Sequence, residues 1–416
     1  MGLERTRALL DALGAPDRGL RGVLVGGTNG KGSVCANLVS VFSGAGYRVG
    51  SMPKPHLQSY TERVCVDGRP ISETDFAALI ELLQPAVEAV ARELGQPTEF
   101  EMLTAAAVRH LRDAGVDLLV CEVGMGGRLD STNVLDLGVK VITNVALDHQ
   151  QYLGDTRAAI AREKAGIIHA DDDVVTGFIG PATDEAAAVV AARCAEVGAR
   201  PHRQEVEWRV AQATPGAGGC EVAVETEPGH RFLVRTGLLG AHQCDNAAVA
   251  AMTALVASRR HGLSLTEAQV GDGVARARWP GRLELVPGSP EVLIDGAHNP
   301  AAVESAVAGA RALAGSRHAV CLFGAMEDKD HAAMLRLLPW PAVLTAVEEA
   351  RACDPQDLLL EARALGRDSD EALRGVGAAL ERARELAGPG GLVLVLGSLY
   401  LAGAVRGMLR LPLPGT

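Results

Sequence analysis

Short runs of aliphatic and β-branched residues alternate with amphipathic stretches through the first part of the chain. GVLVGG runs into SVCANLVSVFSGAG, EMLTAAAVRHLRDAG leads to DLLVCEVG, and VKVITNVAL is followed by TRAAIAREKAG. Runs that are apolar at every position fit strands buried on both faces, and the helical periods between them supply crossovers, so the pattern predicts a parallel sheet. From about residue 171 to 240 the texture changes to shorter alternating segments, VEWRVAQA, CEVAVETE and RFLVRTG, which predict antiparallel strands attached to that sheet. A second α/β series (EVLIDGAHNP, HAVCLFGA, AVLTAV, GLVLVLGSLYLAG) begins near 290, after proline and glycine cluster in RWPGRLELVPGSPE. The expected organisation is two α/β domains, 1–285 and 286–416, with a ligand cleft at the strand ends between them.

Composition narrows the function classes. At 416 residues the chain has the length for two cores, and 48% hydrophobic with 22% charged residues is a globular balance. A net charge of −11 argues against a general nucleic-acid or anionic-membrane surface, so an anionic ligand needs a locally basic pocket. No apolar run reaches the length of a membrane span, and the opening MGLERTRALLDALG carries charges where a signal peptide has its apolar segment. A cytoplasmic enzyme is expected. The eight cysteines show no close pairing or metal-type spacing and several sit in apolar runs, which predicts buried thiols and no disulfide.

The candidate chemistry starts at VLVGGTNGKGSVCANL, residues 23–38. A strand that feeds a glycine-rich turn into a helix aims backbone N–H groups and the positive helix end at one point, which is a phosphate site. Lys31 adds a cation for the outer phosphates and Ser33 a hydroxyl for a magnesium ion. A strict G-x-x-x-x-G-K-[ST] motif has glycine where Val25 stands and a hydroxyl where Gly32 stands; on this segment alone a structural glycine turn with a surface lysine weighs about equally. Two later strands shift the balance, one ending in Glu122 and one expected to end in Asp148 and His149, because three polar strand tips in succession favour a nucleotide and metal site over helix caps.

GTNGKGS (27–33), PHLQSYTERVCVDGRPI (55–71), EVGMGGRLDSTN (122–133), LDHQQYLGDT with REKAGII (147–168), GAHQCDNAAVA (240–250), WPGRLE (279–284) and DGAHNP (295–300) occur in an order that resembles the dihydrofolate synthase/folylpolyglutamate synthase family of the Mur ligase superfamily. FGAMEDKD and GSLYLAG extend the similarity to about residue 404. The resemblance implies a P-loop-type parallel-sheet ATPase domain with a small antiparallel appendage, followed by a Rossmann-like C-terminal domain. It also implies a monomeric ligase that uses ATP and Mg2+ to join L-glutamate to a pterin or folate carboxylate through an acyl phosphate. On that basis Thr28, Asn29, Gly30, Lys31, Gly32 and Ser33 hold the nucleotide phosphates, with Asn246, Arg282 and Asp295 also on the nucleotide. Ser33, Glu122, His149 and Lys164 correspond to the metal set, and His298 to a group near the incoming glutamate. Thr98, Glu99, Phe100, Glu101, Leu129, Asp130 and Ser131 correspond to pterin-side contacts. Lys31, Lys164 and His298 are the expected catalytic residues; Lys164 looks like a helix-surface lysine, but the family carries a carbamylated lysine there, and desolvation favours the neutral amine that carbamylation needs.

Two departures stand out. The family's S-P-H-L serine, a magnesium ligand, is replaced by Lys54, whose ammonium has no lone pair to give. The chain also begins where relatives usually carry a further leader that helps cover the pterin site; a misassigned start or a different acceptor would each account for it. The alternatives to a folate ligase are the same chemistry on another carboxylate and a non-catalytic nucleotide switch. The switch explains neither DGAHNP nor Lys164.

Overall fold

The computed structural model describes residues 2–148, 150–181, 183–216, 218–227 and 229–413. Seventeen strands among these residues form three sheets. The first contains β1 (Gly22–Gly26), β2 (Val49–Met52), β3 (Cys65–Val66), β4 (Arg69–Pro70), β5 (Leu118–Glu122), β6 (Gly138–Ile142), β7 (Asp173–Thr176) and β8 (Arg200–Arg203), in the order β4-β3-β2-β5-β1-β6-β7-β8. From β2 to β8 every neighbour pair is parallel, and only the short β3 and β4 run antiparallel at one edge.

The continuous apolar runs are explained by what lies on each face. In β1, Val23 and Val25 join the core under the helices Lys31–Gly44 and His242–His261, while Leu24 joins the core under Glu4–Ala12, Glu73–Leu94 and Glu99–Asp113. β5 divides in the same way, Leu118 and Val120 to one core and Leu119 and Cys121 to the other. A strand sandwiched between helices has no face on which a polar residue is cheap.

The antiparallel appendage is β9 (Arg209–Gly216), β10 (Gly219–Glu227) and β11 (His230–Thr236). It is shorter than the sequence texture predicts, because 173–203 continues the parallel sheet through β7, the helix Glu185–Val197 and β8. Val222, Val224, Phe232 and Val234 cover the helix His242–His261, whose alanines 247, 248, 250, 251, 254 and 257 let strands approach closely. Cys220 on β10 and Cys244 in the first turn of that helix form a disulfide, with Cα atoms 5.6 Å apart. This corrects the expectation of free thiols throughout: the pairing arises from tertiary packing across 24 residues and leaves no spacing signal. The other six cysteines are buried thiols as expected.

The third sheet comprises β12 (Glu284–Val286), β13 (Glu291–Ile294), β14 (Ala319–Phe323), β15 (Ala342–Leu344), β16 (Glu371–Ala372) and β17 (Leu392–Leu396), ordered β12-β13-β17-β14-β15-β16. All its pairs are parallel except the edge β12–β13. Among the described residues no helix is long and apolar enough to cross a membrane.

Candidate active site

Both large sheets contribute to one cleft of about 760 Å³, bounded by the loop after β1, the ends of β5 and β6, the first turn of the helix His242–His261 and the segment after β13. The loop after β1 needs its glycines. Gly27 and Gly30 have φ of +136° and +81°, and a Cβ on either would fall 1.9 Å from Thr143 Oγ1 or 2.2 Å from Asn246 Oδ1. At Gly32 a Cβ would lie 2.9 Å from the indole of Trp279, so the hydroxyl side chain of the strict phosphate-loop motif has no room here.

The loop is braced from below. Asn29 N donates to Asn144 Oδ1 (3.0 Å), while Thr143 Oγ1 and Asn144 Nδ2 donate to Asn29 O (2.6 and 3.1 Å). Thr28 Oγ1 accepts from Ala146 N at 3.0 Å. Lys31 Nζ is folded back onto Gly27 O and Thr28 O at 3.1 and 2.9 Å, at the start of a helix whose first N–H groups face the cleft. Ser33 Oγ accepts from Gln243 Nε2 (3.3 Å), and Gln243 Oε1 accepts from Asn246 Nδ2 (3.0 Å), which links the loop to the second helix.

Glu122 ends β5 as expected, buried, with Oε2 accepting from Lys54 N at 3.1 Å. Burial pushes its carboxyl up, opposed most strongly by the charge of Lys31. The other expected strand end is corrected: β6 stops at Ile142, and Thr143 and Asn144, not Asp148, take the position beside the loop. Asp148 still lines the cleft, and His149 lies outside the described residues. Lys164 is not a surface lysine. Only 4% exposed on the helix Arg157–Ala165, it has its pKa lowered to about 7, by burial first and by Lys31 second, with Asp148 opposing.

From segments beside β12 and β13 of the third sheet come Arg282, Asp295 and His298, all on the cleft wall. Asp295 is buried and accepts from Leu283 N (2.8 Å) and Ala297 N (2.7 Å), pinning the two crossing segments together. His298 Nδ1 stands 2.9 Å from Gly296 O, an oxygen that only accepts, so Nδ1 carries the hydrogen. Burial pulls the ring's pKa below its usual value and keeps it neutral, leaving Nε2 with a lone pair.

The expected pterin-side residues divide. Phe100, Leu129 and Asp130 line the cleft, whereas Thr98, Glu99, Glu101 and Ser131 are not on its wall. Thr98 and Glu101 form a capping box at the start of the helix Glu99–Asp113, and Glu101 also takes Arg5 Nε at 3.0 Å. Asp130 is shared among Gly124 N, Met125 N, Thr132 N and Thr132 Oγ1 at 2.8, 3.1, 3.0 and 2.5 Å. Sequence reasoning gave no role to Asn144, Thr143, Gln243, His242 or Asp245, although His242 and Asp245 line the cleft. The quoted motifs GAHQCDNAAVA and VKVITNVAL contained them all, and polar residues just after a buried strand or in the first turn of a buried helix were the available signal.

Comparison with known proteins agrees with this architecture. The Mur ligase middle domain matches residues 25–254, and the Mur ligase glutamate ligase domain matches 281–399. The chain is 35% identical to the folylpolyglutamate synthase of Lacticaseibacillus casei, over 97% of this chain and 93% of that protein. It is also 35% identical to the dihydrofolate synthase/folylpolyglutamate synthase of Bacillus subtilis, over 98% and 95% of the two chains. The structure of Mycobacterium tuberculosis folylpolyglutamate synthase complexed with ADP and AMPPCP superposes with a TM-score of 0.90 at 33% identity, covering 98% of this chain and 95% of that one. With both domains in order and the likeness running nearly end to end, the chain belongs to the dihydrofolate synthase/folylpolyglutamate synthase family of Mur ligases.

Proposed function

We propose that the protein is an ATP-dependent ligase that joins L-glutamate to the carboxylate of a pterin or folate through an acyl phosphate. The observation that carries this reading is the convergence on one cleft of a braced phosphate loop from the first sheet and the Arg282–His298 wall from the third. The γ-phosphoryl group passes from ATP to the acceptor carboxylate; the glutamate nitrogen then attacks the acyl carbon, and phosphate leaves. Thr28 to Ser33 offer backbone N–H groups and Lys31 to the phosphates, Asn246 lies against the loop at Gly30, and Arg282 lines the same cleft. His298, neutral with a free Nε2, is suited to take the proton that glutamate's ammonium must lose before it attacks.

The residues fit a magnesium ion. Ser33 and Glu122 are hard oxygen donors lining the cleft at the loop. Two such donors suit an ion held by one or two side chains plus phosphate oxygens and water. When bound it would neutralise charge on the transferring phosphoryl group. Lys164, held with a pKa of about 7, is available as a free amine to combine with carbon dioxide, losing a proton and gaining a carboxylate. We place the enzyme in the cytoplasm, where ATP is available to it.

The test is a panel of pterin, folate and unrelated carboxylates incubated with the protein, ATP, Mg2+ and glutamate, scored by ADP release and product mass. The expected result is ADP release that needs both acceptor and glutamate, with a pterin or folate gaining one glutamyl residue. Glutamylation confined to an unrelated carboxylate, or ADP release indifferent to glutamate, overturns the reading.

A further inference from the structure

Lys54 follows β2 and lines the same cleft as Arg282, with its side chain 9% exposed. Its backbone N–H is fixed on Glu122 Oε2, so the side chain starts from an anchored point. The ammonium lies 3.9 Å from the centroid of the Phe100 ring and 4.0 Å from Asp130 Oδ1. Among the described residues Nζ has no hydrogen-bond partner. Three charged donors are therefore out of water with only a ring face and a distant carboxylate for company, an arrangement that is costly unless a ligand completes it. Asp130 cannot turn to complete it, because its two oxygens already serve four donors of their own loop.

The position puts Lys54 between the phosphate loop and Phe100, because its backbone N–H is held by Glu122 at the strand end beside the loop while its ammonium sits on the ring. Of the three cations that act on Glu122, Lys31 acts most and Lys54 least, and the nearest neighbours of the Lys54 ammonium are the cleft residues Phe100 and Asp130. An anion is the natural complement, since a neutral oxygen would fill one donor and leave the charge unbalanced.

We propose that Lys54 is a specificity-determining residue whose Nζ hydrogen-bonds the carboxylate of the acyl acceptor, holding it between Phe100 and the phosphate loop. The proposal rests on the ligase reading above. It gives the acceptor a counter-charge supplied by the chain itself, which selects for carboxylates over neutral analogues before any phosphoryl transfer.

The experiment measures binding of dihydropteroate, of its carboxamide analogue, and of a non-hydrolysable ATP analogue to the wild type, Lys54→Met and Lys54→Arg, with Mg2+ present and thermal unfolding recorded for each. Acceptors are titrated with the ATP analogue at saturation. Methionine keeps the length and apolar stem while removing the charge. Lys54→Met should weaken dihydropteroate binding by at least about tenfold and leave the carboxamide and nucleotide within about twofold, and Lys54→Arg should recover part of the loss. A folded Lys54→Met protein that binds dihydropteroate within about twofold of wild type overturns the proposal, as does an equal loss for carboxylate and carboxamide. A wild type that binds and glutamylates no pterin or folate carboxylate defeats the proposed function instead, so the two failures are distinct.

Discussion

Around the loop 27–33 the polar groups are already engaged: Asn29 with Thr143 and Asn144, Lys31 with two carbonyls of its own loop, Ser33 with Gln243. Against Phe100 in the same cleft, Lys54 Nζ has no hydrogen-bond partner among the described residues, and Met125 and Leu129 are 45% and 48% exposed. The first region is preorganised, as charge stabilisation during phosphoryl transfer requires, because a donor that must be reoriented during the reaction gives up part of its effect. The second is left open where the identity of the acceptor is decided. The difference teaches that one scaffold can hold its chemistry rigid while its selectivity is set by a few side chains waiting for a ligand.

The largest effect should come from breaking the rigid end. Lys31→Ala removes a cation whose ammonium, among the described residues, hydrogen-bonds two carbonyls of its own loop, so it should leave the protein folded and lower kcat by about 10²–10³-fold. A folded variant within a few-fold of wild type would make the two ends energetically alike. Next comes Lys164. Its amine is neutral above about pH 7 and protonated below, so activity should fall along an acidic limb centred near 7 and be restored in part there by added bicarbonate. Lys164→Ala should be nearly inactive, lack that limb, and regain some turnover with acetate; a pH profile unchanged by the substitution would remove Lys164 from the chemistry.

The smallest effect concerns the support beneath Phe100. Burial pushes Glu101 up, but Arg5 and the Thr98 N–H and hydroxyl together hold its carboxyl below the usual range. Its stabilisation is therefore present above the unfolded glutamate value and lost as pH falls through the lower folded one. Glu101→Gln should cost about 1–3 kcal/mol at neutral pH, read by denaturant unfolding, with the gap from wild type closing in acid. Acceptor binding should weaken and nucleotide binding should not; an equal effect on both would mean that the two ends are not separable.

How much of this was legible in the sequence follows from what each feature depends on. β1, its glycine turn and the helix from Lys31 could be read because their signal is local: an apolar run, then residues that tolerate left-handed φ, then a buried helix. Glu122 was legible for the same reason, as the polar end of an apolar strand. Lys164 showed no such sign, since its burial arises from tertiary packing and not from its local sequence, and only the family motif pointed to it. The Cys220–Cys244 bond and the bracing by Thr143 and Asn144 depend on which segments meet in space, and β8 hid because its residues Arg200–Arg203 are polar or proline and none is fully buried, unlike those of β7.

The contact between Gly32 and Trp279 reaches into the history open to this chain. A serine at position 32 would restore the standard phosphate-loop hydroxyl in a single residue change, yet its Cβ would meet the indole ring before any benefit could be felt. The path to that loop runs first through a smaller residue at 279, which by itself uncovers the glycine and gains nothing. Two changes, each unfavourable alone, separate this loop from one with a hydroxyl at position 32, and Val25 remains a further departure from the strict motif, so natural variation should find the pair at 32 and 279 together or not at all.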